Sequence, residues 1–174
     1  MTSIVISRAD LPERPLLDTG ILIRALREYT DAHTETCVAF LKALLDENKD
    51  ILIAAPTLAE VVRGNAATTL PAVAGITVVG FDKQAAEILG KGLPAPVLKE
   101  EAAQAGKTGM QIKYDAMIAA CAARHRADVV VTLDDDMAKL AARLRVAVAR
   151  PADYLSKVLS LPLEPRGRGT PRAD

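Results

Sequence analysis

The sequence predicts an α/β fold, a three-layer sandwich in which a central, mainly parallel, twisted sheet is flanked by helices. Three observations predict it. Short β-branched runs alternate with Ala-rich amphipathic segments along the chain, the rhythm of strands joined by helices. The run Asp128-Val129-Val130-Val131-Thr132 is apolar at consecutive positions, as a strand covered on both faces requires. Right-handed crossovers between such strands make a doubly wound sheet the default, and its ligands bind at the carboxyl ends of the strands.

The elements follow in order. Pro15-Leu16-Leu17 reads as the first core strand and leads into Asp18, after which Ile21 to Glu28 reads as a helix. His33 to Asn48 is a second helix, with Val38, Leu41, Leu44 and Leu45 at helical spacing. Ile51 to Ala54 is a buried strand, and Pro56 is pre-set to open the helix that carries Leu58, Val61 and Val62. Ile76 to Val79 is the next strand, followed by a helix over 82–90, until Gly90, Gly92, Pro94 and Pro96 break the pattern. Val97 to Gly106 reads as a short helix closed by Gly106 and Gly109. A long helix from Lys113 to Arg126 feeds the Val-rich strand, 136–144 is helical, and Val146 to Val148 is the last strand. Pro151 opens a final helix to about Leu159. Residues 1–160 therefore form one domain, and 161–174, with three Pro, two Gly and three Arg, is expected to be a disordered tail.

Composition narrows the function. At 174 residues the chain has room for one buried core. Lys plus Arg and Asp plus Glu both number 22, so the net charge is zero and nucleic acid cannot be held by bulk charge alone. Three Tyr, two Phe and no Trp are too few for a base-stacking sheet. Cys37 and Cys121 with His33 and His125 lack the spacing of a zinc site. Two cysteines suit a reducing compartment. No apolar run reaches the length of a membrane span and the N-terminus lacks a signal-peptide pattern, so the expected place is the cytoplasm, with no membrane partner.

Acids gather at the expected strand ends. Asp18 directly follows the first strand, and Asp134 follows the Val-rich strand by two residues in Leu133-Asp134-Asp135-Asp136. Glu60 lies in the first turns of the helix after Ile51–Ala54, where it can lean back over the strand end. Asp115 is expected to begin the long helix, whose Ile118, Ala119 and Ala122 share its face. Four such carboxylates, with no obvious set of basic partners, would raise one another's pKa. A hard divalent cation, Mg²⁺ or Mn²⁺, relieves this and leaves room for a phosphate. Each acid also has a plainer role open to it: Asp18, Asp115 and Asp134 as helix caps or dipole partners, Glu60 as a solvated helical residue.

The ordered set LLDTGILIRAL, PTLAEVVRG and YDAMIAACAARHRADVVVTLDDDM resembles the PIN-domain nucleases, in the branch of the VapC-type toxins of bacterial toxin–antitoxin pairs. The resemblance spans residues 15–150. It implies a PIN-like sandwich and a metal-dependent endoribonuclease that hydrolyses RNA phosphodiester bonds. Carried over, Asp18, Glu60, Asp115 and Asp134 are the catalytic acids, and Asp18, Asp115, Asp134 and Asp136 hold Mg²⁺ or Mn²⁺. Thr19 and Thr132 support the site. The resemblance also implies a homodimer, an RNA substrate and inhibition by a cognate antitoxin protein.

The chain departs from the family pattern in places. SIVISRADLPER precedes the first strand, as an extra strand or as residues from an upstream start codon. Met137 stands where an aromatic often follows the acids, a matter of packing. The Gly/Pro-interrupted stretch 91–111 is a candidate flap, and Asp135 leaves open which of three consecutive acids faces the metal. Among Arg24, Arg27, Arg63, Lys113 and Arg124, the first choices for RNA contact are Arg24, Arg63 and Lys113, the nearest in sequence to the acids. Two other functions stay open: a PIN-like scaffold that binds RNA or protein without cutting, and phosphotransfer on an aspartate.

Overall fold

The structure is a computed structural model that describes residues 4–65, 70 and 74–156. Its strands are short and almost wholly apolar: β1 (Pro15–Leu17), β2 (Ile51–Ala54), β3 (Ile76–Val79), β4 (Val129–Val131) and β5 (Ala147–Ala149). They form one sheet of order β3-β2-β1-β4-β5, in which every pairing is parallel. β1 lies at its centre, with Leu16 opposite Leu52 on one side and Val130 on the other.

Alternation along these strands builds two cores. Leu16, Leu52, Ala54 and Val130 pack against residues of α5 (Ala95–Ala105), α6 (Gly109–Arg124) and α7 (Asp135–Arg143). Leu17, Ile51, Ile53, Val129 and Val131 face the opposite layer, where α1 (Thr19–Ala25), α2 (Thr34–Asp46) and Val61 of α3 (Ala55–Gly64) close over them. Burial on both faces explains the consecutive apolar runs. α6 is lined by Ala116, Ala119, Ala120, Cys121 and Ala122, all buried, and small side chains let its backbone approach the sheet closely. Both cysteines are free and buried, and burial pushes the Cys37 thiol up to about 11 and Cys121 up to about 12, so neither is poised as a nucleophile. Met137 is fully buried and packs in the first core. No helix among the described residues is long and apolar enough to cross a membrane.

Several boundaries differ from expectation, each for a local reason. α1 starts at Thr19 rather than Ile21, because Asp18 caps it. α4 (Lys83–Gly92) runs through the first two glycines of the supposed break, and α5 begins at Ala95 with Pro94 as its N-cap. Proline costs little there, since the first turn of a helix has no amide bonds to lose. The stretch 91–111, expected as a candidate flap, therefore holds the end of α4, the whole of α5, the corner after it and the first residues of α6. α6 begins at Gly109, four residues before Lys113, because Thr108 and Gln111 form a reciprocal capping box. Asp115 consequently sits in the second turn of α6 and does not begin it. Among its described residues the N-terminal segment forms no extra strand but a 3-10 turn (Arg8–Asp10) and a single antiparallel bridge between Ile6 and Leu155. The last helix is a 3-10 turn over Pro151–Tyr154. Residues 157–159 of the expected helix, and the whole 161–174 tail, lie outside the described residues.

Candidate active site

The sheet order reverses direction at β1: β2 and β3 lie to one side, β4 and β5 to the other. A crevice opens at the carboxyl end of a sheet where neighbouring strands send their chains to opposite layers. Here that place is between β1, which continues into α1, and β4, which continues into α7. A cleft of about 420 Å³ lies there, lined by Asp18, Thr19, Gly20, Arg24, Glu60, Asp115, Leu133 and Asp134. The four acids expected from sequence thus share one cavity.

Asp18 continues the ladder of β1, its N–H donating to the Val131 carbonyl at 3.1 Å. The residue is only 6% exposed. One carboxylate oxygen accepts the Thr19 N–H at 2.7 Å, and the other accepts the Thr132 hydroxyl at 2.7 Å. Burial outweighs these bonds and, with the Asp115 charge beside it, pushes the Asp18 pKa up to about 6. Thr132 itself is buried and accepts the Asp134 N–H at 2.9 Å, so one hydroxyl ties the β1 end to the β4 end. The Thr19 hydroxyl donates to Glu60 Oε2 at 2.6 Å and fixes that carboxylate over the cleft.

Asp134 caps α7, its Oδ1 accepting the N–H groups of Asp136 and Met137 at 2.8 and 3.3 Å. The capping role and the place in the cleft are therefore both real, one for each carboxylate oxygen. Oδ2 receives the ammonium of Lys107 at 2.5 Å. The same Nζ lies 3.2 Å from Asp115 Oδ2 and 3.6 Å from Asp136 Oδ2. Burial raises the pKa of Asp115, and Lys107 does not fully offset it. At Asp134 burial also pushes upward, but the bond from Lys107 and the two amides bring the net shift below the usual carboxylate range. For Lys107 burial opposes the charge, yet Asp134 and Asp115 hold the ammonium well above the usual lysine range.

Lys107 corrects two expectations. The acids do have a basic partner, and it is not one of the cations nearest to them in sequence. Lys113 is two residues from Asp115, a spacing that puts side chains on different faces of a helix. It is exposed and lines a shallow apolar cleft between α5 and α6. Arg24 does line the acid cleft, with its guanidinium engaged by Asp31 at 2.6 Å and by the Gly20 carbonyl at 2.7 Å. Arg63 lies beside it, in a neighbouring cleft that shares Thr19 and Glu60, and rests over the Tyr114 ring at 5.9 Å. Arg27 and Arg124 pair with Glu35 and Asp82, outside the cavity. Asp135 is engaged by Arg150 and Asp136 by Lys139 as well as Lys107, so of the three consecutive acids Asp134 alone lines the cavity, and Asp136 meets the same ammonium as Asp134 from outside the lining. The Lys107 contact has no short-range signature, since it arises from a chain reversal between two helices.

The donors offered by the cleft are carboxylate and hydroxyl oxygens, which suit Mg²⁺ or Mn²⁺ and no softer ion. Among the described residues Asp18 and Glu60 face no cation within ion-pair distance. The donor chemistry therefore fits a divalent ion. The geometry does not yet present one: no group of three His, Cys, Asp or Glu side chains among the described residues is arranged to hold a metal. The point nearest Asp115, Asp134 and Asp136 together is taken by Lys107 Nζ.

No curated protein matches the chain. Among solved structures it is similar to FitAcB from Neisseria gonorrhoeae, at 27% identity over 79% of this chain and 98% of that one, with a TM-score of 0.53. It is also similar in fold to VapBC2 from Rickettsia felis bound to a DNA fragment from their promoter, at 18% identity over 78% of this chain and 97% of that one, with a TM-score of 0.52. DNA-bound VapBC from Salmonella typhimurium gives 21% identity over 79% and 98%, with a TM-score of 0.51. The family model of the PIN domain matches residues 16–143, a span that runs from β1 to the end of α7 and contains every acid of the cleft. The chain belongs to the PIN domain family.

Proposed function

We propose that the protein is a divalent-metal-dependent endoribonuclease that hydrolyses RNA phosphodiester bonds, and that it is the toxin of a toxin–antitoxin pair. The observation that carries this reading is the convergence of Asp18, Glu60, Asp115 and Asp134 on one cleft at the reversal of strand order. Family membership supports nuclease chemistry in general. The similar FitAB complex, solved bound to a DNA fragment and 26% identical, supports an antitoxin protein as partner. RNA as substrate and a homodimer rest on the resemblance of the motifs.

Asp18, Asp115, Asp134 and Asp136 would hold the Mg²⁺ or Mn²⁺ ion. When bound, such an ion supplies a nucleophilic water at neutral pH and shields charge on the attacked phosphate. The chain's own residues do the rest. Thr132 orients Asp18 and anchors the backbone of Asp134, while Thr19 holds Glu60 at the cleft edge, where its second carboxylate oxygen can take a proton from water. Arg24 and Arg63 place positive charge along the rim, where an RNA backbone would pass.

Controlled expression in a bacterial host without a partner protein tests the toxin reading. The wild type is expected to arrest growth within a few generations, and Asp115→Asn at equal protein level is expected to leave growth untouched. Arrest by both proteins would remove the acid cleft from the account.

A further inference from the structure

Lys107 sits on a rigid base. α5 ends in a left-handed Gly106 with φ of 63°, whose N–H donates to the Ala103 carbonyl, while the Lys107 N–H donates to the Ala102 carbonyl at 3.1 Å. This is the paired closure of a Schellman motif. The next residue, Thr108, is already the N-cap of α6 and is locked by its capping box. Between two capped helices the backbone of Lys107 has little freedom, so what remains free is its four-carbon stem. That stem carries the ammonium to three of the four carboxylates assigned above to the ion: Asp115 at 3.2 Å, Asp134 at 2.5 Å and Asp136 at 3.6 Å.

We propose that Lys107 is the resident counter-cation of the acid cleft: its ammonium holds the point shared by Asp115, Asp134 and Asp136, and a divalent ion loads only as that ammonium swings aside. The proposal rests on the metal-dependent reading given above. Two cations cannot share carboxylate oxygens at these distances without strong mutual repulsion, and in a partly buried cleft water screens that repulsion poorly. Without any cation the three acids would repel one another and splay. Lys107 thus keeps the ligands gathered in the unloaded protein, and its presence raises the ion concentration needed for loading. It is a positioning residue, set on a fixed backbone with a mobile tip. Lys139 is the built-in comparison, because it meets only Asp136, at 3.0 Å on the other carboxylate oxygen, and is half-exposed.

The test is Mn²⁺ binding to the full chain without RNA, followed by the electron paramagnetic resonance signal of the free ion, for wild type, Lys107→Met, Lys107→Arg and Lys139→Met. Circular dichroism in EDTA confirms that each variant is folded, and Lys107→Gln replaces the methionine variant if that one is not. Lys107→Met is expected to bind Mn²⁺ at least tenfold tighter than wild type, Lys107→Arg within threefold of wild type, and Lys139→Met less than threefold tighter. Unchanged or weaker binding in folded Lys107→Met would overturn the proposal. So would an equal gain in Lys139→Met, which would mark a general effect of charge. Unchanged affinity in a protein whose wild type cuts RNA with Mg²⁺ sinks this inference alone. No Mn²⁺ binding by any variant, with no cutting by wild type, sinks it together with the metal-dependent reading.

Discussion

Asp18 is a buried carboxylate held by one amide and one hydroxyl. Its pKa, raised by burial to about 6, has a consequence for stability. A group whose folded pKa lies above its unfolded value near 3.8 favours the fold while protonated. That contribution is full below about pH 4 and is lost as pH rises through 6. In the ion-free protein at pH 7.5, ionised Asp18 therefore weakens the fold it serves. Asp18→Asn keeps the shape without the charge, and is expected to stabilise the protein in EDTA by up to about 3 kcal/mol, the value of a two-unit shift. The gain should shrink toward zero as pH falls from 6 to 4, and RNA cutting should be lost at every pH. Thermal melts across that pH range check it, and an equal loss of stability at all pH values would contradict it. At this scale Asp18, Asp134 and Glu60 were legible in the sequence because each is tied to a strand end or to a helix entered from one, and Asp115 because the face it shares with Ile118, Ala119 and Ala122 is apolar. Lys107 was not: it lies eight residues from Asp115 and reaches it only because two helices meet at Gly106. Lys113 looked closer and faces elsewhere, since two residues along a helix turn a side chain well past the perpendicular.

Among the elements, the corner between α5 and α6 decides where that ammonium stands. Gly106 is left-handed, and an added Cβ there would meet nothing within 4 Å. Gly106→Ala therefore isolates the backbone cost of a left-handed L-residue, about 1 kcal/mol, which for a chain of this size is a fall of about 3 °C in Tm. A variant that melts with wild type would contradict the assignment of that corner. The elements themselves were readable from periodicity, and the strands most of all, because runs such as Ile51–Ala54 and Val129–Val131 are apolar without interruption. Their ends were harder to read. Pro94 and Pro96 look like breakers in a string of letters, yet they stand at the N-cap and in the first turn of α5, where proline is tolerated. The start of α6 was hidden because Gly109 and Met110 offer no apolar periodicity, and only the Thr108–Gln111 box marks it. The N-terminal residues 4–14 carry β-branched residues that suggest a strand, but they add a bridge and a turn, and bury Ile6 and Leu11 in the core on the α1–α2 side.

The whole molecule gathers its acids from both layers. Asp18 and Asp134 stand where β1 and β4 end, Glu60 comes from α3, and Asp115 comes from α6. That arrangement follows from the strand order β3-β2-β1-β4-β5, which sends the chain to one face after β1 and to the other after β4. The order is not written in any local segment; it emerges when right-handed crossovers lay β2 and β3 to one side of β1 and β4 and β5 to the other. Gathered in this way, the carboxylates form the cleft proposed above to cut RNA with a divalent ion. The measurement that tests that proposal most directly is cleavage of a broad RNA panel by purified, partner-free protein in EDTA, Mg²⁺ or Mn²⁺, with Asp115→Asn in parallel. Wild type is expected to cut with either ion and not in EDTA, and Asp115→Asn to lose at least a hundredfold. Cutting that persists in EDTA or survives the substitution would contradict the proposal.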